Sequence, residues 1–205
     1  MMEFCVKKIE QLITKEELPQ AILSFGMERK NELLKIKNIS KVMESVAATI
    51  LMNQLLLDSG YATDDLVKDK NGAPRLIKQT QLHCSISHSK EYVACAISNQ
   101  PIGIDIQIMK DINYTSIAKR FFHPQEIKCL SKVSENSLEN FYQIWTSKES
   151  YLKMLGFGLK RDLHSFYSNL EKKQIFDLDE ICVGNLFLKS YEQYMLCICT
   201  KPIKE

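Results

Sequence analysis

The chain has 205 residues, room for one large domain or two small ones with a core to bury. Its 45% hydrophobic and 25% charged residues are ordinary for a globular protein, and a net charge of +2 argues against nucleic-acid binding. No stretch reaches the roughly 20 apolar residues of a membrane span, and the charged N-terminus lacks a signal-peptide core.

Residues 16–35 and 41–58 read as helices; the second sets Val42, Val46, Ile50, Leu51 and Leu55 at helical spacing before an Asp58-Ser59-Gly60 stop. A turn-rich stretch with Asn71-Gly72 follows, then two strands, 82–86 and 92–98, joined through His88, Ser89, Lys90 and Glu91. Pro101 marks a division into halves 1–101 and 102–205. The run Ile102 to Ile108 alternates with period two. Residues 115–131 read as helix interrupted at His123-Pro124, and 137–155 as a long helix stopped by Gly156 and Gly158. Strands 181–189 and 194–200 close the chain. The fold class is α+β. Seven scattered cysteines without a C-x-x-C pair read as reduced thiols of a cytoplasmic protein.

Three features carry chemical potential, and each has a plain structural alternative. Strand 102–108 places Gly103, Asp105 and Gln107 on one face, a set of oxygen ligands suited to Mg²⁺ or simply a solvated face. In the long helix, Glu149 and Lys153 stand one turn apart, a base and a phosphate-binding cation or an ordinary i,i+4 pair. His88 can bind phosphate or be merely exposed.

The order of the motifs decides among these readings. Ile86-Ser87-His88-Ser89, Gly103-Ile104-Asp105-Ile106 and Arg120-Phe121-Phe122 with Glu126 appear in sequence. They are followed by Trp145-Thr146, Lys148-Glu149-Ser150-Tyr151 and Lys153, then Gly156-Phe157-Gly158-Leu159. The series resembles the Sfp-type phosphopantetheinyl transferases over residues 72–159. That resemblance implies two similar α+β halves related by a pseudo-twofold axis, with coenzyme A in a cleft between them. It implies Mg²⁺-dependent transfer of phosphopantetheine from coenzyme A to a serine of an acyl or peptidyl carrier protein, releasing adenosine 3',5'-bisphosphate. A chain that carries both halves is then expected to work as a monomer.

Position by position, Asp105, Gln107 and Glu149 match the metal ligands. Glu149, Lys153 and His88 match the catalytic groups, and His88, Lys148 and Lys153 the coenzyme contacts. The sequence departs from the family pattern at Gln107, usually glutamate, at Ala73, usually lysine, and at Ser45, often arginine. Arg75 or Lys78 is expected to compensate for the second, and Lys41 for the third. Residues 119–138, with Arg120 and Lys128, are the expected carrier surface. A non-catalytic binder of coenzyme A or of a carrier, and a hydrolase of the coenzyme A pyrophosphate, are the alternatives.

Overall fold

The computed structural model describes residues 2–132, 137–156 and 161–202. Within it the chain forms two compact units, Met1–Gln100 and Pro101–Glu205. Both are mixed α+β, and no helix among the described residues is long and apolar enough to cross a membrane.

The first unit runs β1 (Met2–Lys8), α1 (Leu18–Ser24), α2 (Met27–Leu34), α3 (Ile39–Asp58), β2 (Leu66–Lys68), β3 (Pro74–Leu76), β4 (His83–Ser89) and β5 (Tyr92–Ser98). Its three-stranded sheet has the order β1-β5-β4, all antiparallel, with β2 and β3 as a separate hairpin. α3 packs on β1 and β5 through Val46, Ala48, Leu51 and Met52, which are fully buried. Asn38 caps this helix by accepting from the backbone N–H groups of Ser40 and Lys41.

The second unit runs β6 (Ile102–Ile108), α4 (Tyr114–Phe121), α5 (Pro124–Lys132), α6 (Ser137–Leu155), β7 (Phe166–Asn169), β8 (Gln174–Asp177), β9 (Cys182–Tyr191) and β10 (Tyr194–Thr200). The five strands take the order β6-β10-β9-β8-β7, and α6 lies on β6 and β10. Among the described residues, and apart from short 3-10 turns, both units therefore read strand, three helices, four strands. In each, the first strand pairs antiparallel with the last and the third helix covers the pair.

Four sequence expectations change. The helix over 16–35 is two helices, because Gly26 N–H donates to Asp65 Oδ2 at 2.9 Å and a Cβ at Gly26 would sit 2.1 Å from that oxygen. His88 is a residue of β4, not of a connection; the turn is Lys90-Glu91, with Lys90 at φ 51°. The polar face of strand 102–108 is not solvated, because α6 covers it. β2, β3, β7 and β8, three or four residues each, carry too short a pattern to be read as strands, and the seven residues of β1 do not alternate apolar with polar; all five form by pairing with neighbours. Gly156 does end α6, at φ 71°; Gly158, with Phe157 and Leu159, lies outside the described residues.

Candidate active site

The site is built where α6 crosses β6. Gly103 permits the crossing. A Cβ there would lie 1.8 Å from the Ser150 carbonyl oxygen and 2.5 Å from the Met154 nitrogen, so only glycine lets the helix backbone come this close. Two residues on, along the same face, Asp105 points under the helix and is 2% exposed. Cys197 faces it across the β6–β10 pair, and Ser150 donates its hydroxyl to the Cys197 sulfur.

Lys153 completes the crossing. Its Nζ donates to Asp105 Oδ1 at 2.7 Å and to the Ile104 carbonyl oxygen at 3.0 Å. Lys153 therefore bonds a carboxylate 48 positions away in sequence, on the neighbouring strand. Gln107 donates its amide N–H to Asp105 Oδ2 at 3.3 Å, a bond that a glutamate at this position would replace by repulsion.

Glu149 lies one helical turn before Lys153. Burial raises its pKa to about 7, the negative charge of Asp105 pushes in the same direction, and Lys153 opposes both. The site thus holds two acidic side chains, and the charge of Asp105 disfavours ionisation of Glu149. That is the charge pattern a hard divalent cation relieves, and the donors are all oxygens: two carboxylates and the Gln107 amide oxygen. Among the described residues no third His, Cys, Asp or Glu joins them, so water would complete the coordination of any ion held there.

Lys148, expected to touch the coenzyme, is placed differently. Its side chain is 1% exposed and its ammonium is committed to the protein: Glu126 Oε2 at 2.9 Å, the Leu163 carbonyl at 2.8 Å and the Phe166 carbonyl at 2.9 Å. Glu126, equally buried, also accepts from the His123 N–H and from the N–H and hydroxyl of Ser168. Successive helix residues point about 100° apart, so a Lys148 turned into the core leaves Glu149 turned toward β6. Lys148 is a structural anchor, and its partner Glu126 was legible only as part of a motif.

In the first unit, His88 and Lys41 share one carboxylate. Glu44 Oε2 lies 3.2 Å from His88 Nδ1 and 2.6 Å from Lys41 Nζ. Arg75 is elsewhere, in an exposed pair with Glu28 at 2.9 Å. Lys78 donates its backbone N–H to Asp64. Ser45 is bonded by the buried Arg29, whose Nη2 donates to its carbonyl and hydroxyl oxygens. Arg29 and Glu44 carry no sequence signal of their own, since their partners are set by the packing of α2, α3 and β4. Arg120 lies over the Phe121 ring, and exposed Lys128 lines a concavity with Gln125, Tyr167 and Ser168.

Residues 101–199 match the family described as the 4'-phosphopantetheinyl transferase superfamily. The chain is 30% identical over 175 residues to the 4'-phosphopantetheinyl transferase gsp of Aneurinibacillus migulanus, covering 81% of this chain and 73% of that one. The chain belongs to the 4'-phosphopantetheinyl transferase superfamily. It is also 36% identical over 137 residues to the 4'-phosphopantetheinyl transferase Sfp of Bacillus subtilis (strain 168), covering 62% of this chain and 59% of that one. A crystal structure of a holo-(acyl-carrier-protein) synthase from Bacillus anthracis, in complex with CoA (3',5'-ADP), overlaps 47% of this chain and 91% of its own at 19% identity. Its TM-score of 0.39 is too low to add to the argument. Within this superfamily chain, the crossing of β6 and α6 falls inside the matched segment, as do Asp105, Gln107, Glu149 and Lys153.

Proposed function

We propose that the protein transfers the phosphopantetheine group of coenzyme A to a serine of an apo acyl or peptidyl carrier protein. The observation that carries this reading is the meeting of Asp105, Glu149 and Lys153 at the β6–α6 crossing of a phosphopantetheinyl transferase superfamily chain. The serine oxygen attacks the β-phosphorus of the coenzyme pyrophosphate. The bond from that phosphorus to the bridging oxygen breaks, and adenosine 3',5'-bisphosphate leaves. Glu149 takes the serine proton, directly or through water; a carboxylate that titrates near 7 is well matched to that task at neutral pH. Lys153 neutralises charge on the leaving phosphate and, through Asp105, holds the helix on the strand. Asp105, Glu149 and the Gln107 amide oxygen would hold Mg²⁺, which when bound supplies further charge neutralisation. His88 and Lys41 bind coenzyme phosphate in this reading, and the segment 119–138, of which residues 133–136 lie outside the described residues, meets the acidic helix of the carrier.

The test incubates the protein with coenzyme A, Mg²⁺ and a panel of apo carriers, and weighs the carriers intact. The expected result is a phosphopantetheine mass gain that disappears with EDTA or with Glu149→Ala, and a raised carrier KM when Arg120 and Lys128 become alanine. A folded protein that neither modifies any carrier nor binds coenzyme A would overturn the reading.

A further inference from the structure

Lys148 and Glu126 form a buried ion pair that no step of the proposed transfer uses. The two side chains are 1% and 0% exposed. An ammonium has three N–H groups, and each of these has an acceptor: Glu126 Oε2 at 2.9 Å and the carbonyl oxygens of Leu163 and Phe166 at 2.8 and 2.9 Å. The carboxylate is filled as well. Its Oε1 accepts from the N–H and the hydroxyl of Ser168 at 2.7 and 2.9 Å, and its Oε2 accepts from the His123 N–H at 2.8 Å as well as from Lys148. One node therefore joins the His123 turn, α5, α6 and the run from Leu163 into β7. Stability does not call for such a node, because apolar side chains of similar volume are often as good as a buried ion pair or better. What the pair adds is direction.

Direction matters here because Glu149 is the next residue. An apolar side chain at position 148 would tolerate a small turn of α6 about its axis, whereas an ammonium with three fixed acceptors does not. A side-chain end lies about 6 Å from a helix axis, so a turn of about 20° carries it roughly 2 Å. A misplacement of about 1 Å can cost on the order of a hundredfold in rate. Lys153 also ties α6 to β6, but its side chain is 29% exposed and its ammonium is the one that the proposed transfer calls to the leaving phosphate. The Lys148 ammonium has all its N–H groups committed inside the protein. We propose that Lys148 and Glu126 are positioning residues for the transfer step: their ion pair fixes the rotation of α6, so that the Glu149 carboxylate stays turned toward Asp105 while Lys153 engages the phosphate. This rests on the transferase reading above and deepens it by assigning two residues that act through Glu149 and touch neither coenzyme nor carrier.

Two variants test this beside the wild type. Lys148→Met with Glu126→Gln removes both charges together, so that no lone charge is left buried. Ser168→Ala takes a single hydrogen bond from Glu126 and leaves the pair in place. Calorimetric titration with coenzyme A gives the affinity and the number of competent sites, and transfer to an apo carrier is then expressed per competent site, which removes any loss caused by unfolded protein. The emission maximum of Trp145, one helical turn before Glu149, reports the setting of α6 without ligand. The expected result for the double variant is a kcat per site lower by about tenfold or more, with KM and coenzyme A affinity unchanged and the Trp145 emission shifted. Ser168→Ala should lose about two- to threefold in kcat by the same route. A role in stability alone would lower the melting temperature and the number of competent sites but keep kcat per site within about twofold. That outcome in the double variant overturns the inference, as does a loss of kcat matched by a loss of coenzyme A affinity. Should the double variant not fold, an unchanged kcat in Ser168→Ala overturns it instead. A wild type that binds coenzyme A but transfers to no carrier overturns the transferase reading and this inference with it.

Discussion

The two units solve one packing problem with different chemistry. In each, a long third helix lies on an antiparallel pair made of the first and last strands. At the matching place in the two pairs, the first unit sets Cys5 opposite Cys95 and the second sets Asp105 opposite Cys197. Around the first pair α3 contributes Ala47, Ala48, Leu51 and Met52, and burial drives the Cys5 thiol up to about 12, so it stays a neutral core group. Around the second, α6 contributes Ser147, Ser150, Glu149 and Lys153. One crossing is therefore a hydrophobic core. The other accepts buried charge, which costs stability unless paired. A scaffold that can afford an ordinary core in one unit and a polar crossing in the other separates stability from chemistry.

That contrast can be broken at its tightest point. Gly103→Ala should have the largest effect, because the added Cβ meets backbone at 1.8 Å and neither helix nor strand can give way cheaply. We expect at least about 4 kcal/mol of destabilisation, or failure of the second unit to fold. Urea unfolding followed by the fluorescence of Trp145, the one tryptophan of the chain, measures it. A stable, well-folded alanine variant would mean that the close crossing is not what glycine serves.

Next in size is Lys148→Met, which strands the buried Glu126 carboxylate. Removal of one member of a buried pair costs about 3–5 kcal/mol, so the midpoint of the same unfolding curve should fall sharply. Coenzyme A affinity, measured while the variant is still folded, should hold. A lost affinity in a stable variant would return Lys148 to the binding residues.

The smallest change has the opposite sign. Glu149 ionises near 4.5 in the unfolded chain and at about 7 in the folded one. Between these values the folded protein holds the proton more tightly, so this group's contribution to stability falls as pH rises through that window and stays lost above it. Glu149→Gln removes the loss. In EDTA at pH 8 the variant should be more stable by roughly 1–3 kcal/mol, with the difference vanishing by pH 4.5. Denaturant curves at the two pH values check this, and an equal effect at both would show that Glu149 is not held in a desolvated, acid-crowded place.

The sequence by itself determined the elements whose patterns are long and regular. α3 and α6 were legible because their apolar positions recur over five turns, and β5, β6 and β10 because of dense β-branched and apolar runs. The motif order also located Asp105, Glu149 and Lys153. Tertiary structure alone decided who bonds whom. An i,i+4 rule pairs Lys153 with Glu149, but the nearer approach of β6 gives it Asp105. A charged lysine in a site motif reads as a ligand contact, but Glu126 and two carbonyls draw Lys148 inside. Nothing local marks Glu44 as the partner of His88, or Asp65 as the group that breaks the first helix at Gly26. The physical reason is common to all four. Helix and strand periodicity are properties of neighbouring residues, whereas desolvation and charge pairing depend on which distant segment comes within about 3–4 Å.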